Sequence, residues 1–362
     1  MCIKMDAVIN ERYTDVETEM LRNRKVMMEK GAVIKRHHVK QYDPNENMSV
    51  YATTQNVDNQ QVQPRDIMKI VEHASTRYAL LIVILLEDYV VGGNKKKSSK
   101  ELSQLVLEAI RMTNMNNRWR TKYQLELNHS SARQVMFIIA NREEINPIQI
   151  KAETFKIDNE SDIIMAKIKY EDTRFEDGQP VTFCFVGALF GAGFDKLNDE
   201  IPVHFKLRLQ EFHKTVHGCH KWMVQDEIHM QKNSKLGFMP FLCIMLGDLN
   251  SRIIPHVEPS TRYDLLFDEL SLELEHFHFH EDHINFPQTF EVSRSDQKSY
   301  MTSTEQDYRP AWVDRIAFHN GDPIWVLDCT YYGISDPISS RTNHRGVVAG
   351  FHVWNKRQWY KM

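Results

Sequence analysis

Three short strings carry groups able to hydrolyse or grip a phosphate. The apolar run Phe241 to Leu246 closes in Gly247-Asp248-Leu249-Asn250. A carboxylate held where a strand ends can take a proton from water, and an amide two residues on points the same way along extended chain and can donate to a phosphoryl oxygen. Trp312-Val313-Asp314-Arg315-Ile316 and Thr342-Asn343-His344-Arg345-Gly346-Val347 supply an Asp and a His. A His oriented by an Asp is a charge-stabilising unit. Asp and Asn end many strands for turn reasons alone, so Gly-Asp-x-Asn acquires chemical meaning only beside the other two strings.

Placing these strings at strand ends requires a framework of sheets. Short apolar runs of strand type recur at Val50 to Thr54, Ala79 to Leu86, Val135 to Ala140, Ile163 to Tyr170, Val181 to Leu189, Phe241 to Leu246, Trp312 to Phe318 and Val347 to Trp354. Ser99 to Met112, Val203 to Thr215 and Tyr263 to Leu274 carry apolar residues at helical spacing. The pattern predicts two sheets face to face with helices outside. Residues 1–47 read as a helical and polar extension, residues 48–362 as one domain, and Asn117 to Ser131 as a loop insertion.

Bulk composition sets limits on partners. The 362 residues are 42% hydrophobic and 26% charged, inside the globular range. Forty-five Lys and Arg against forty-nine Asp and Glu give a formal charge of −4, so no overall field draws the chain to nucleic acid or an acidic membrane. Five scattered cysteines without a CxxC pair fit a reducing, cytoplasmic setting. Met1 to Arg12 lack an apolar h-region, the run Ala79 to Leu86 is too short to span a bilayer, and Trp359-Tyr360-Lys361-Met362 is not a prenylation box. Secretion and anchoring are therefore not expected.

The three strings together resemble the GDxN, PxWxDRI and SDHxPV signatures of the inositol polyphosphate 5-phosphatases of the endonuclease, exonuclease and phosphatase superfamily. Further likenesses are Thr54-Gln55-Asn56-Val57, Tyr89-Val90-Val91-Gly92, Phe183-Cys184-Phe185-Val186, Asp268-Glu269-Leu270 and Ile284 to Phe290. The resemblance covers about Val50 to Phe351 and implies a four-layer α-β-β-α sandwich of two mixed sheets. It implies a magnesium ion that neutralises a phosphoryl group while the protein aligns a water. On that pattern Asp248 matches the general base, Asn250 a phosphate donor, His344 and its orienting Asp314 the charge pair, and Asn56 the first-strand metal-site asparagine. Arg315 and Arg345 would add positive charge beside an inositol phosphate or phosphoinositide head group, or either would serve equally as a structural ion-pair partner, with peripheral membrane contact open.

Other positions depart from the family. The expected Gln-Glu pair reads Asn94-Lys95, putting an ammonium where a magnesium carboxylate belongs. The expected Asn-Ser-His-Leu reads Gly187-Ala188-Leu189-Phe190, so Leu189 replaces the transition-state histidine. Asn343 replaces the Asp of the last motif, and Phe290-Glu291 and Glu305-Gln306-Asp307 replace lysine-bearing segments. These losses imply a pseudophosphatase; the alternative is an active enzyme with a rebuilt metal site, its carboxylate supplied near Asn56 by Glu87 or Glu126. His276-Phe277-His278-Phe279-His280 reads as a surface segment with both phenylalanines packed inward, in preference to a zinc or nickel site.

Overall fold

The computed structural model describes residues 49–58, 60, 62–89, 95–116, 122–157, 161–172, 180–191, 205–224, 241–251, 274, 277–290, 292–293, 311–335 and 342–356. All belong to one compact unit, Pro44–Met362. The strands are β1 Val50–Asn56, β2 Leu81–Glu87, β3 Tyr123–Ser130, β4 Gln134–Asn141, β5 Ile145–Lys156, β6 Asp162–Asp172, β7 Val181–Leu189, β8 Leu242–Asp248, β9 Phe279–His280, β10 Asp314–Asn320, β11 Trp325–Ile334 and β12 Val347–Asn355. The helices are α1 Pro64–Thr76, α2 Lys95–Asn116 and α3 Phe205–Val224.

The strands form two six-stranded sheets, ordered β11-β12-β1-β2-β4-β3 and β5-β6-β7-β8-β10-β9. Each is mixed: β1 runs parallel to β2 and β7 parallel to β8, with antiparallel neighbours outside them. Parallel central strands are covered on both faces, which is why β2 reads Leu-Ile-Val-Ile-Leu-Leu without alternation and is buried throughout. Between the sheets, Leu81, Val83 and Leu85 meet Phe183, Phe185, Ile244 and Leu246 in one apolar cluster. The outer face of β7 and β8, with Cys184, Val186, Cys243 and Met245, packs under Phe212, Val216 and Trp222 of α3. Ile67, Ile70, Val71 and Ala74 form the buried stripe of α1, at the spacing that a helix covering a sheet requires. This is the expected α-β-β-α sandwich.

All eight strands expected from apolar runs are present, with ends shifted by a few residues. The loop expected over Asn117 to Ser131 is corrected: Tyr123–Ser130 is strand β3, whose polar residues line a partly exposed sheet edge beside β4. β5 escaped notice for the same reason, being an edge strand with Pro147 and alternating exposure. α1 begins at Pro64, suited to the first helical position, and Asp66 accepts the Gln63 backbone N–H at 3.1 Å. The extension 1–47, the Asp268-Glu269-Leu270 segment and Glu305-Gln306-Asp307 lie outside the described residues. Among the described residues, no helix is long and apolar enough to cross a membrane.

The inter-sheet core is tightly stacked, with Phe183 lying between Tyr170 (6.2 Å between ring centroids) and Phe185 (5.3 Å). Phe183→Ala is expected to cost about 3–5 kcal/mol of stability in urea denaturation. A loss below about 1 kcal/mol would show that the sheets do not close on this stack.

Candidate active site

Register brings the reactive groups to one place. β1 and β2 run parallel, and their last residues, Asn56 and Glu87, are paired. β8 ends and β10 begins in an antiparallel pair at Asp248 and Asp314. His344 stands just before β12, the other neighbour of β1, and Thr342 ties that segment down by donating to the Asn56 carbonyl at 2.9 Å. Asn56, Glu87, Asp248, Asp314 and His344 therefore meet where strands of both sheets end.

The Asn56 amide donates to Asp248 Oδ2 at 3.1 Å. Asp248 in turn gives its backbone N–H to both oxygens of Glu87, at 3.0 and 3.1 Å. Gly247 makes that approach possible. Its φ is +140°, and a Cβ there would stand 2.1 Å from the Ala188 carbonyl and 2.7 Å from Glu87 Oε1. Asn250 adopts a left-handed φ of 51° and folds back, its N–H donating to Asp248 Oδ1 at 3.0 Å. The expected histidine–aspartate pair is formed: His344 Nδ1 lies 2.9 Å from Asp314 Oδ2, and the Asp314 N–H is held by Thr289 Oγ1 at 3.1 Å. Phe290 packs on the His344 ring, its centroid 4.8 Å away.

Charge at this junction is unbalanced. Glu87 and Asp314 are fully buried and Asp248 is only 8% exposed. Among the described residues, the His344 ring and Arg133 stand against these three carboxyls, and the Arg133 guanidinium is engaged by Asp88 at 2.7 Å through two nitrogens. Burial, followed by the charges of Asp248 and Asp314, pushes the Glu87 carboxyl well above the usual carboxylate range. Burial opposes charge on His344, but Asp314, through its charge and its hydrogen bond, wins with help from Asp248 and Asp58, and the ring is pushed up to about 9.

A divalent cation fits this set of residues. Asp314 Oδ1 and Asn343 Oδ1 are buried without a hydrogen-bond partner. Ligand atoms of Asp248, Asp314 and His344 come within 4.8 Å of one another. Hard oxygen donors with surplus negative charge are what magnesium or calcium binds.

Glu87, not Lys95, is the residue that ends the strand beside Asn56; Lys95 opens helix α2, beyond that strand end. The apolar run Ala79 to Leu86 locates this strand, and Glu87 is one of two carboxylates expected near Asn56, while the family likeness places the metal ligand after Tyr89 to Gly92. Glu126, the other carboxylate considered, is on β3 and bonded by Arg142 at 2.5 and 2.7 Å. The ligand-facing expectation for Arg315 is corrected, and of its two expected roles the ion pair is the one formed. Its side chain is 1% exposed and its guanidinium is clasped by Glu281, which also accepts from Tyr332 Oη at 2.5 Å, so it braces the strand and does not face a ligand. Arg345 lies beside His344 in the chain and donates to the Gln288 carbonyl at 2.7 Å.

Leu189 remains apolar and buried. On β7 it shares a face with Gly187, whose missing Cβ would touch Leu85 at 2.6 Å. That face looks toward β2, the strand ending in Glu87. In the histidine-rich segment, Phe277 and Phe279 are buried and His278 and His280 exposed, as the surface reading expects.

Fold and site together define a two-sheet α-β-β-α sandwich whose carboxylates and His–Asp pair converge at strand ends. The chain belongs to the Endonuclease/Exonuclease/phosphatase family 2, whose model matches residues 53–350. It is 32% identical over 128 residues to phosphatidylinositol 3,4,5-trisphosphate 5-phosphatase 1 of Xenopus laevis, a match spanning 30% of this chain and 12% of that protein. The inositol polyphosphate 5-phosphatase domain of SpSynaptojanin, solved in complex with inositol (1,4)-bisphosphate and calcium ion, superposes with a TM-score of 0.57 at 17% identity, covering 87% of this chain and 88% of that one. Cimex nitrophorin, solved as a ferrous NO complex, gives 0.58 at 13% identity over 84% and 98%. At these identities the structures share the fold, and the fold alone does not fix the chemistry.

The His344 ring titration is directly observable. In divalent-free protein, NMR should place its midpoint near 9, and Asp314→Asn should lower it. Because the folded pKa is raised above 6.5, the ring's contribution to stability is complete below that pH and is lost as pH rises through about 9. A midpoint at or below 6.5 would contradict the pairing.

Proposed function

We propose that this protein is a divalent-cation-dependent phosphatase of the inositol phosphate and phosphoinositide class, retaining its metal site but slowed by the loss of a transition-state donor at Leu189. The observation that carries this reading is Glu87, which supplies a carboxylate beside Asn56 and Asp248 at the meeting of strand ends. Magnesium is the favoured ion; the buried oxygens of Asp248, Asp314 and Asn343 would face it, with Glu87 and Asn56 completing the site from the neighbouring strand ends. When bound it would supply neutralising charge to the phosphoryl group.

The remaining work falls to this chain's own side chains. Asp248, fixed by Asn56, orients the attacking water and receives its proton. His344, kept charged by Asp314, presents its other nitrogen to the phosphoryl oxygens as negative charge grows there. Asn250, anchored in its left-handed turn, sits beside Asp248 as a candidate phosphate donor. Leu189 leaves one face of the pentavalent state without a donor, which typically costs ~10²- to 10³-fold in rate. We place the protein in a reducing, cytoplasmic setting, a reading supported by the free thiols of Cys184, Cys219, Cys243 and Cys329.

A second reading, a pseudophosphatase that binds the phosphorylated ring without turnover, draws its support from Leu189 and Asn343. Phosphate release from phosphatidylinositol 4,5-bisphosphate and from inositol trisphosphate, with magnesium and with EDTA, separates the two. The proposal expects slow release that is abolished by EDTA, by Asp248→Ala and by His344→Ala. Release no faster than in those variants would sink it in favour of the binding role. Leu189→His should raise the rate by about tenfold or more if the donor alone is missing.

A further inference from the structure

Beneath α3, on the sheet face turned away from the inter-sheet core, three cysteines far apart in sequence come together. Cys184 on β7 and Cys243 on β8 are register partners, and Cys219 reaches them from the buried stripe of α3. The sulfur atoms of Cys184 and Cys219 are 3.2 Å apart, and all three lie within 4.8 Å of one another. None is more than 1% exposed. Met165, Met223 and Met245 belong to the same apolar cluster, so the surroundings offer thioethers and no described carboxylate joins the group.

We infer that Cys184, Cys219 and Cys243 form a binding site for one soft monovalent cation of the copper(I) class. Two features select that ion. The donors are sulfur alone, and thiolate and thioether ligands favour copper(I) over magnesium, calcium or manganese. Among the described residues the group has three members, with no histidine or carboxylate atom joining them within 4.8 Å, whereas structural zinc sites are almost always closed by four. His319, the register partner of Cys243, is turned to the His278 carbonyl, its Nδ1 2.9 Å from that oxygen. Each coordinating thiol releases its proton to solvent and its sulfur donates an electron pair to the cation as the thiolate, so nothing is oxidised or reduced. The ion reaches the site when α3 lifts from the sheet, a local opening far smaller than global unfolding.

The probe is copper(I) itself, titrated anaerobically against bicinchoninate into the full chain carrying Cys2→Ser and Cys329→Ser, which leaves only the three clustered thiols. One equivalent is expected to be withheld from the chelator, and Cys219→Ala in that background to weaken retention by about a hundredfold. Equal retention by the Cys219→Ala chain, or no retention by its parent, overturns the site. Should the alanine chain fail to fold, X-ray absorption on the unsubstituted protein with one equivalent of copper(I) decides the matter. A sulfur-only shell supports the site, and a shell containing nitrogen or oxygen moves the ion to histidines or carboxylates and overturns it.

Discussion

Three carboxyl groups withdrawn from water at one junction set the terms for the rest of the site. Glu87, Asp248 and Asp314 are held close enough for their charges to act on one another, and the neighbouring positive charge does not offset them. A buried charge without a partner is expensive, so such a cluster must take up protons or a cation. The chain does both in part. Glu87 leans toward its protonated form, Asp314 is matched by a charged His344, and oxygens of Asp314 and Asn343 remain for something else to satisfy.

The architecture exists to hold that junction. Two mixed sheets supply parallel centres whose strands end at the same level, and register alone makes neighbours of Asn56 and Glu87, and of Asp248 and Asp314. Gly247 lets β8 close upon both the Ala188 carbonyl and the Glu87 carboxyl, a position no side chain could share. The Arg315–Glu281–Tyr332 network braces β10 from behind, its polar groups paired within the protein. The same sandwich appears in SpSynaptojanin and in Cimex nitrophorin, so the junction residues and not the scaffold must carry the function.

Much of this was legible from residue type and spacing. The apolar runs located the central strands because strands covered on both faces must be continuously apolar, and the Gly-Asp-x-Asn, Asp314 and His344 strings marked where they end. Edge strands were hidden: β5 and β3 face solvent along part of their length, so their polar residues read as loop. Glu87 could be named from the sequence only beside Glu126 as a carboxylate near Asn56, because a glutamate closing an apolar run gives no boundary signal of its own and a second apolar patch follows at Tyr89 to Val91. Only pairing with β1 fixes which residue stands beside Asn56. Arg315 misled in the opposite direction, since a basic residue beside a catalytic aspartate reads as a phosphate ligand until its buried partner Glu281 is seen. The cysteine cluster could not be read at all, because its members come from two strands and a helix.

The assignment of the cation to Glu87 is the step on which the functional account turns. Isothermal calorimetry of magnesium or manganese binding to the wild-type chain, Glu87→Gln and Lys95→Ala tests it most directly. The account predicts one divalent ion per wild-type chain, affinity lowered by about tenfold or more in Glu87→Gln, and no change in Lys95→Ala. Binding that survives Glu87→Gln unaltered, or that responds only to Lys95→Ala, would contradict it.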